Sequence, residues 1–283
     1  MPPRNHPTAR QARLGAELRK MRERAGLTAR EAAAQLGVTP MRMSHIEIGR
    51  LGVSEERLRK FATHYGCSDS AYIDALAGLT GRQERGWWET FKGCVTPADI
   101  DLVELEWHAQ RLASLQIVYI PGLLQTASYT RALFRYLRPD AEPSDFDAVV
   151  EFRGRRRAVL DRASPVPFTA IIHEAALRMK VGDRRLAREQ LDFLLESIAR
   201  PGVTVRVVPF SADGFAGMGS SMLYAAGRVP ELDTVLIDHV HGSVFLDAAD
   251  ELVHYRDRLR RAESSALGPE ETKDLIRRIA QEL

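Results

Sequence analysis

Apolar positions near the start of the chain recur every three or four residues, in short runs that are separated by glycines. This spacing is typical of amphipathic helices, which bury one face and expose the other. The first run, residues 10–25, predicts a helix that stops before Gly26. The arginines between its apolar positions, Arg13 and Arg22 among them, are expected to face water.

Two helix-start signals lie on either side of a glycine in residues 27–50, which read LTAREAAAQLGVTPMRMSHIEIGR. Thr28 begins a T-x-x-E capping box, and Thr39 stands before a proline at the first helical position. Gly37 is expected to close the first helix in a left-handed conformation. Two short helices joined by such a turn predict a helix-turn-helix, whose second helix enters the major groove of DNA.

The outward side of that second helix would supply the contacts to DNA. Its apolar positions Met43 and Ile46 are expected to point into the core. The alternative is an ordinary helical hairpin that binds no nucleic acid. The predicted DNA contacts, which are the remaining outward residues and their neighbours, are Arg30, Thr39, Pro40, Met41, Arg42, Ser44, His45 and Arg50.

Two further helices complete the first 80 residues. Ser54 caps a helix that runs through His64, and the next one spans about 69–79. The chain therefore begins with an all-α, five-helix head over residues 10–80, which follows a disordered tail at residues 1–9.

Charge separates the head from the rest of the chain. The net charge of the whole is only +2, yet residues 1–66 hold thirteen Lys and Arg against six Asp and Glu, a balance of +7 that leaves −5 on residues 67–283. A basic domain on an acidic body is expected when one domain alone contacts phosphates. Double-stranded DNA is the predicted partner.

Length and composition restrict the class of protein. At roughly 150 residues per domain, 283 residues suit two domains. Cys67 and Cys94 lie in no zinc-binding spacing and predict no disulfide framework. The chain shows neither a long apolar run nor a signal-peptide core, so we expect a cytoplasmic protein with no membrane partner.

Strand and helix patterns alternate after a glycine-bearing hinge linker at residues 81–90. A helix from Thr96 through about Ser114 should precede a buried strand, QIVYI, at 116–120. Further helices are expected after Thr126, after Ser144 and at 183–199, 248–266 and 269–281, with strands at PFTAII, VTVRVV, SMLYAA, TVLID and SVFL. This alternation predicts a mixed α/β (α+β) C-terminal domain over residues 91–283.

Two arginines of the C-terminal domain are candidates for ligand binding. Arg153 and Arg157 are spaced to share a helical stripe and could hold a carboxylate or phosphate in bidentate fashion. The alternative is that they form ion pairs with Glu104 or Glu106 of the preceding helix.

Metal and catalytic motifs are scarce. His239 and His241 would share one face of a strand and could ligate a metal, although histidines in turns are commoner. A glycine-rich phosphate loop, a GxSxG elbow and an HExxH motif are all missing from the sequence. No metal, no cofactor and no enzymatic activity are therefore predicted.

The head resembles the DNA-binding domain of Xre-type, phage-repressor-like regulators, whose pattern is LTQEELAxxLGVSxxxxSxIExGR. This resemblance implies binding to operator DNA as a homodimer. Relatives commonly carry Gln in place of Ala29 and a polar residue in place of Pro40, and those two side chains hold each other and a phosphate. Because that polar clamp cannot form here, Arg30, Thr39 and Arg42 remain as the expected phosphate or base contacts.

The C-terminal domain carries a second resemblance, in EWHAQRLASLQIVYIPGLLQTASYTRALF, HEAALRMKVG, PGVTVRVVPF and TVLIDHVHGSVFLD. These segments are similar to a large actinomycete class of Xre-type regulators in which the PGLLQT turn recurs. The class is often described as antitoxin-like, because its gene tends to lie beside one for a small partner protein. The resemblance implies no catalytic residues.

The expected function is a sequence-specific transcription regulator whose C-terminal domain dimerises, binds a partner protein, or both. A metabolite-sensing repressor and an enzyme localised by its helix-turn-helix are the alternatives.

Overall fold

The computed structural model describes residues 7–80, 86–142, 145–213, 219–239 and 242–283. The chain divides into two compact units, Met1–Glu89 and Thr90–Leu283. Several predictions fall outside the described residues, namely those for positions 1–6 of the tail, positions 81–85 of the linker, Ser144 and His241.

The described part of the N-terminal unit contains five α-helices, each of which begins after a residue that suits a helix start. They are α1 (Ala9–Arg24), α2 (Ala29–Gln35), α3 (Pro40–Glu47), α4 (Glu55–His64) and α5 (Ser70–Ala77). A side-chain oxygen accepts a backbone N–H of the first turn at all five N-caps, which are Thr8, Thr28, Thr39, Ser54 and Asp69. Gly37 follows α2 at φ +65°, which confirms the predicted left-handed turn.

Helices α1 and α3 approach each other backbone to backbone. A Cβ atom added to Gly15 would lie only 2.5 Å from the carbonyl oxygen of Glu47. Gly49, at φ +77°, would place a Cβ atom 2.7 Å from the backbone nitrogen of Ala12. Both positions therefore require glycine, and together they fix how α3 lies on α1.

A buried ion pair joins the same two helices. Nε and Nη2 of Arg22 donate to the two carboxylate oxygens of Glu47 at 2.6 and 2.9 Å, and Nη1 donates to the carbonyl of Leu27 at 2.7 Å. The expectation that Arg22 faces water was wrong, because a guanidinium whose donors are satisfied can be buried. Arg13 is buried as well, with Nε 3.0 Å from a carboxylate oxygen of Glu17.

The described part of the C-terminal unit contains six strands and eight α-helices. In chain order they are α6 (Pro97–His108), β1 (Arg111–Gln116), α7 (Ala127–Leu137), α8 (Asp145–Arg156), α9 (Ala158–Asp161), β2 (Phe168–His173), α10 (Glu174–Arg178), α11 (Arg184–Ile198), β3 (Val203–Val208), β4 (Met222–Ala226), β5 (Thr234–His239), β6 (Gly242–Leu246), α12 (Ala249–Ser265) and α13 (Pro269–Glu282).

The six strands form one mixed sheet in the order β3-β2-β1-β4-β5-β6. The pairs β1·β2 and β2·β3 are parallel, and the other three pairs are antiparallel. Apolar residues of α7, α11 and α13 pack on one face of the sheet, and those of α12 pack on the other. The helical head followed by this layered domain confirms the predicted fold class.

One stretch of the C-terminal unit departs from the prediction. The helix expected to reach Ser114 ends at His108, and QIVYI contributes only its first residue to a strand. Strand β1 is central and covered on both faces, so it lacks the alternation that marks a half-exposed strand. Leu112 therefore continued the apparent helical stripe although it lies in β1. The predictions of strands at PFTAII and VTVRVV and of a helix at 183–199 are confirmed by β2, β3 and α11.

Candidate nucleic-acid interface

Helix α3 has a sharply divided surface. Met43 and Ile46 are 1% and 2% exposed in the core of the head, whereas Met41 is 71% exposed. His45 is half-buried. The exposed positions of the helix are Pro40, Met41, Arg42 and Ser44. This face therefore contributes to the head's surface and not to its core.

The remaining predicted contacts lie close to α3 in the chain or on a neighbouring helix. Thr39 is exposed, and its hydroxyl oxygen accepts the backbone N–H of Arg42 at 3.2 Å. Arg30 is exposed on α2, which packs against α3, and Arg50 is exposed just after α3. Their contact with DNA stays a prediction.

Arg57 on α4 is a candidate that the sequence-based set lacks. Its guanidinium carbon lies 5.4 Å from the centre of the Phe61 ring. Burial and, after it, the charge of Arg42 lower the pKa of Arg57, so the two cations repel each other. A positive charge in the first turn of a helix opposes the helix dipole, and this was the signal in the sequence that could have identified Arg57.

Apart from Arg10, which donates to the carbonyl of Gly78, the described Lys and Arg residues of the head fall into two sets. Those with carboxylate partners within 4 Å are Arg13, Arg19, Lys20, Arg22 and Arg59. A second set forms no ion pair within the described residues, and its members are Arg24, Arg30, Arg42, Arg50, Arg57 and Lys60. Most of this second set lies on α2, on α3 or between α3 and the middle of α4. We call the exposed part of α3, together with Arg30, Arg50 and Arg57, the basic face.

Two known protein families match separate parts of the chain. Residues 13–72 match a helix-turn-helix domain. Residues 100–278, more than half of the chain, match a family described as a domain of unknown function, DUF5753. The chain belongs to the DUF5753 family. Comparisons with curated proteins and with solved structures gave no match.

The two matches set the general role of the protein. A helix-turn-helix domain is a DNA-binding module, so its presence indicates a DNA-binding regulator. The DUF5753 domain adds a six-stranded mixed sheet with helices on both faces. The family description assigns no activity to that domain.

The two ligand-binding candidates of the DUF5753 domain pack against different aromatic rings. The guanidinium carbon of Arg153 lies 4.8 Å from the centre of the Phe134 ring, and burial lowers the pKa of Arg153 to about 10. Arg157 follows the end of α8 and lies 5.1 Å from the centre of the Phe193 ring. Burial and then the charge of Arg200 lower the pKa of Arg157. Binding of an anion by either arginine stays a prediction.

The alternative expectation was an ion pair of Arg153 or Arg157 with Glu104 or Glu106, and the structure shows that Glu106 pairs with Arg156 instead. Nε and Nη2 of Arg156 donate to the carboxylate oxygens of Glu106 at 3.0 and 2.6 Å, and both side chains are buried. Arg156 is the last residue of α8, and its charge adds to burial in lowering the pKa of Arg153, three residues earlier. The pair fixes α8 to α6.

Other chemistry in the described residues is limited. They contain no group of three or more His, Cys, Asp or Glu that could hold a metal ion. His239 is exposed at the end of β5, while its predicted companion His241 lies outside the described residues. None of the helices in the described ranges is long and apolar enough to cross a membrane.

Proposed function

We propose that this protein is a sequence-specific, Xre-type transcription regulator that binds operator DNA with its basic face. The observation that carries the proposal is the set of cations around α3 that lack carboxylate partners among the described residues. Phosphate groups would neutralise such cations and release counterions from the DNA.

The basic face offers two kinds of contact. Arg42 lies close enough to Arg57 for its charge, after burial, to lower the pKa of Arg57, which favours one phosphate or a base edge between the two arginines. Met41 is too apolar to donate a hydrogen bond and would pack on thymine methyls or sugars. Because Ala29 and Pro40 replace the polar clamp of the resembling family, one head alone should bind weakly.

The proposed role of the DUF5753 domain is to join two heads and to present a surface to a small partner protein, as in antitoxin-like regulators. Two heads on half-sites about one helical turn apart would combine their binding energies through a high effective concentration. In this proposal the domain catalyses no reaction.

A comparison of the full-length protein with residues 1–80 tests this role. We expect the full-length protein to sediment as a dimer and residues 1–80 to fold as a monomer, with at least about tenfold weaker operator binding, or about 1.4 kcal/mol. Binding of both should fall steeply with salt, with a log–log slope near −0.9 for each phosphate contact. A monomeric full-length protein that binds no better than its head would contradict the proposal and favour a metabolite sensor or a localised enzyme.

A further inference from the structure

The outer side of α11 carries six exposed charges that are sorted by sign along the helix. Arg184, Arg185 and Arg188 come first along the helix, and Glu189, Asp192 and Glu196 follow them. The six line an open cleft of about 640 Å³ together with Phe193, which is half-buried. We call these six residues the α11 stripe.

The order of charges in the α11 stripe does not serve the helix that carries it. A helix is stabilised by acidic residues in its first turn and by basic residues in its last turn. Helix α11 begins with two arginines, has no acidic residue in its first turn and has no basic residue in its last turn. The carboxylate of the N-cap Asp183 accepts the backbone N–H of Leu186 at 2.8 Å, but the arginines themselves interact unfavourably with the helix dipole.

The α11 stripe also makes no ion pairs within the described residues. Arg185 and Glu189 stand four residues apart, as do Arg188 and Asp192, a spacing that allows pairing on a helix. On α12 and α13, charges at comparable spacing do pair, such as Arg261 with Asp257 at 2.7 Å.

Two members of the stripe contact neutral groups instead. Nε of Arg188 donates to the carbonyl of Ala280 at 3.1 Å, and the hydroxyl of Ser128 donates to Glu189 at 3.1 Å. The opposite charges of the stripe thus remain available to a partner.

We propose that the α11 stripe binds the same stripe of a second copy of this chain, with the two helices antiparallel about a two-fold axis. A stripe that is positive in one half and negative in the other is complementary to itself in that arrangement, as an isologous interface requires. With the axis at the level of Gln190, Arg184 faces Glu196 of the second copy, and Arg188 faces Asp192. This inference rests on the dimer of the proposed function and assigns its interface.

Partners other than a second copy would pair with only some of the charges of the α11 stripe. A polyanion such as DNA would be repelled by the three carboxylates, and a small anion would engage only the arginine half. A second copy satisfies both signs at once and can seat side chains in the cleft beside Phe193. Charge complementarity would fix the direction of the contact, while burial of the cleft would contribute apolar area.

Charge-reversal variants of the full-length protein test the proposal. The first combines Arg184→Glu with Arg185→Glu, and the second combines Asp192→Arg with Glu196→Arg. Each substituted side chain is exposed and has no partner among the described residues, so folding should persist, as thermal melting would check. We expect each variant alone to dimerise at least about tenfold more weakly, and an equimolar mixture to recover dimers, because each negative half then meets a positive half.

A matched control combines Arg260→Glu with Arg261→Glu on α12, which packs on the opposite face of the sheet. This control changes the net charge as much as the first variant and should leave the dimer intact. Dimers of undiminished affinity in both α11 variants would overturn the α11 interface but not the dimer itself. A monomeric wild-type protein would overturn both, and a mixture that stays monomeric would overturn the antiparallel arrangement. Binding to a single half-site, which needs one head, should be equal in all variants.

Discussion

Two surfaces of this protein carry charges that lack ion-pair partners among the described residues, and they differ in how the signs are arranged. The charged residues of the basic face around α3 are all arginines, whereas the α11 stripe presents three arginines followed by three carboxylates. A surface of one sign suits a partner with continuous opposite charge, such as a nucleic acid. A surface sorted into two signs suits a partner with the reverse order, which a second copy in antiparallel orientation provides.

The interior of each unit shows the contrasting use of charge. Arg22 with Glu47 in the head, and Arg156 with Glu106 in the C-terminal domain, are buried pairs that join two helices. Charge therefore has a structural role inside each unit and, in our proposals, a recognition role on the two outer faces. The predictions test that division, beginning with the interior.

The largest effect is expected from Arg22→Met, which leaves Glu47 buried without its cation. Breaking one side of a buried pair typically lowers the free energy of unfolding by about 3–5 kcal/mol. Urea unfolding of the full-length protein would measure this loss in the transition of the head. Arg19→Met, which removes an exposed ion pair, is the control and should leave the free energy of unfolding almost unchanged. If Arg22→Met lowers the free energy of unfolding no more than the control does, the pair of Arg22 with Glu47 does not stabilise the head.

A double variant sharpens this test. Arg22→Met combined with Glu47→Leu removes both charges and should recover much of the lost stability, because no unpaired ion remains buried. A double variant that is less stable than Arg22→Met would show that Arg22 and Glu47 each stabilise the head independently of their ion pair.

The next effect concerns the basic face. Arg42→Ala should weaken operator binding by roughly 1–3 kcal/mol if the guanidinium contacts a base edge, and should weaken all sequences alike if it contacts phosphate. Titrations of specific and random duplexes at several salt concentrations separate the two cases. Arg59→Ala is a matched control, because Arg59 already pairs with Glu55 and Asp74. Full affinity and specificity in Arg42→Ala would remove α3 from the recognition role.

A smaller effect is expected from the turn that orients the basic face. Gly37 stands at φ +65° with open space around the position of a Cβ atom, so Gly37→Val should cost about 1 kcal/mol from backbone strain alone. Thermal melting would measure the loss, and Gly52→Ala, which has open space and no positive φ, serves as the control. Equal melting of both variants would show that the turn does not depend on glycine.

Much of the head could be predicted from the sequence because its signals are local. A threonine cap, the T-x-x-E box and a glycine at the turn act within a few residues, and α2 and α3 begin and end where those signals stand. The burial of Arg22 could not be predicted in this way. Its partner Glu47 is 25 residues away, so an isolated helix pattern assigns it to the solvent side.

The C-terminal domain was harder to predict because its central strand lacks a local signal. Strand β1 reads RLASLQ. Its small residues Ala113 and Ser114 fit a strand that is covered on both faces, and the sequence shows no alternation of apolar and polar residues there. In the sequence, the segment that carries the α11 stripe was recognisable only as an amphipathic helix. Its significance depends on the pairs that its charges do not form, and a sequence does not show these.

The smallest effect concerns pH, and it involves a residue of neither face. Nδ1 of His173 accepts the backbone N–H of Ala175 at 3.2 Å, and burial holds the pKa of His173 below its usual 6.5. Below that pH the unfolded chain takes up the proton before the folded chain does, so stability should decline slightly as acid is added. His173→Asn keeps a capping side chain and should flatten this pH dependence of stability. Thermal melts between about pH 7.5 and 5.5, which is about one pH unit on either side of the usual pKa of histidine, would measure it. An identical slope in the variant would assign the dependence to another group.

The close approach of α1 and α3 at Gly15 and Gly49 also bears on how such a regulator could change its target during evolution. The placement of α3 depends on backbone contacts and on inward side chains, and it does not depend on its outward ones. Met41 and Ser44 could therefore be exchanged for other residues at little cost to folding. Duplicated copies of such a gene could acquire new operators through a few substitutions while the rest of the head stays unchanged.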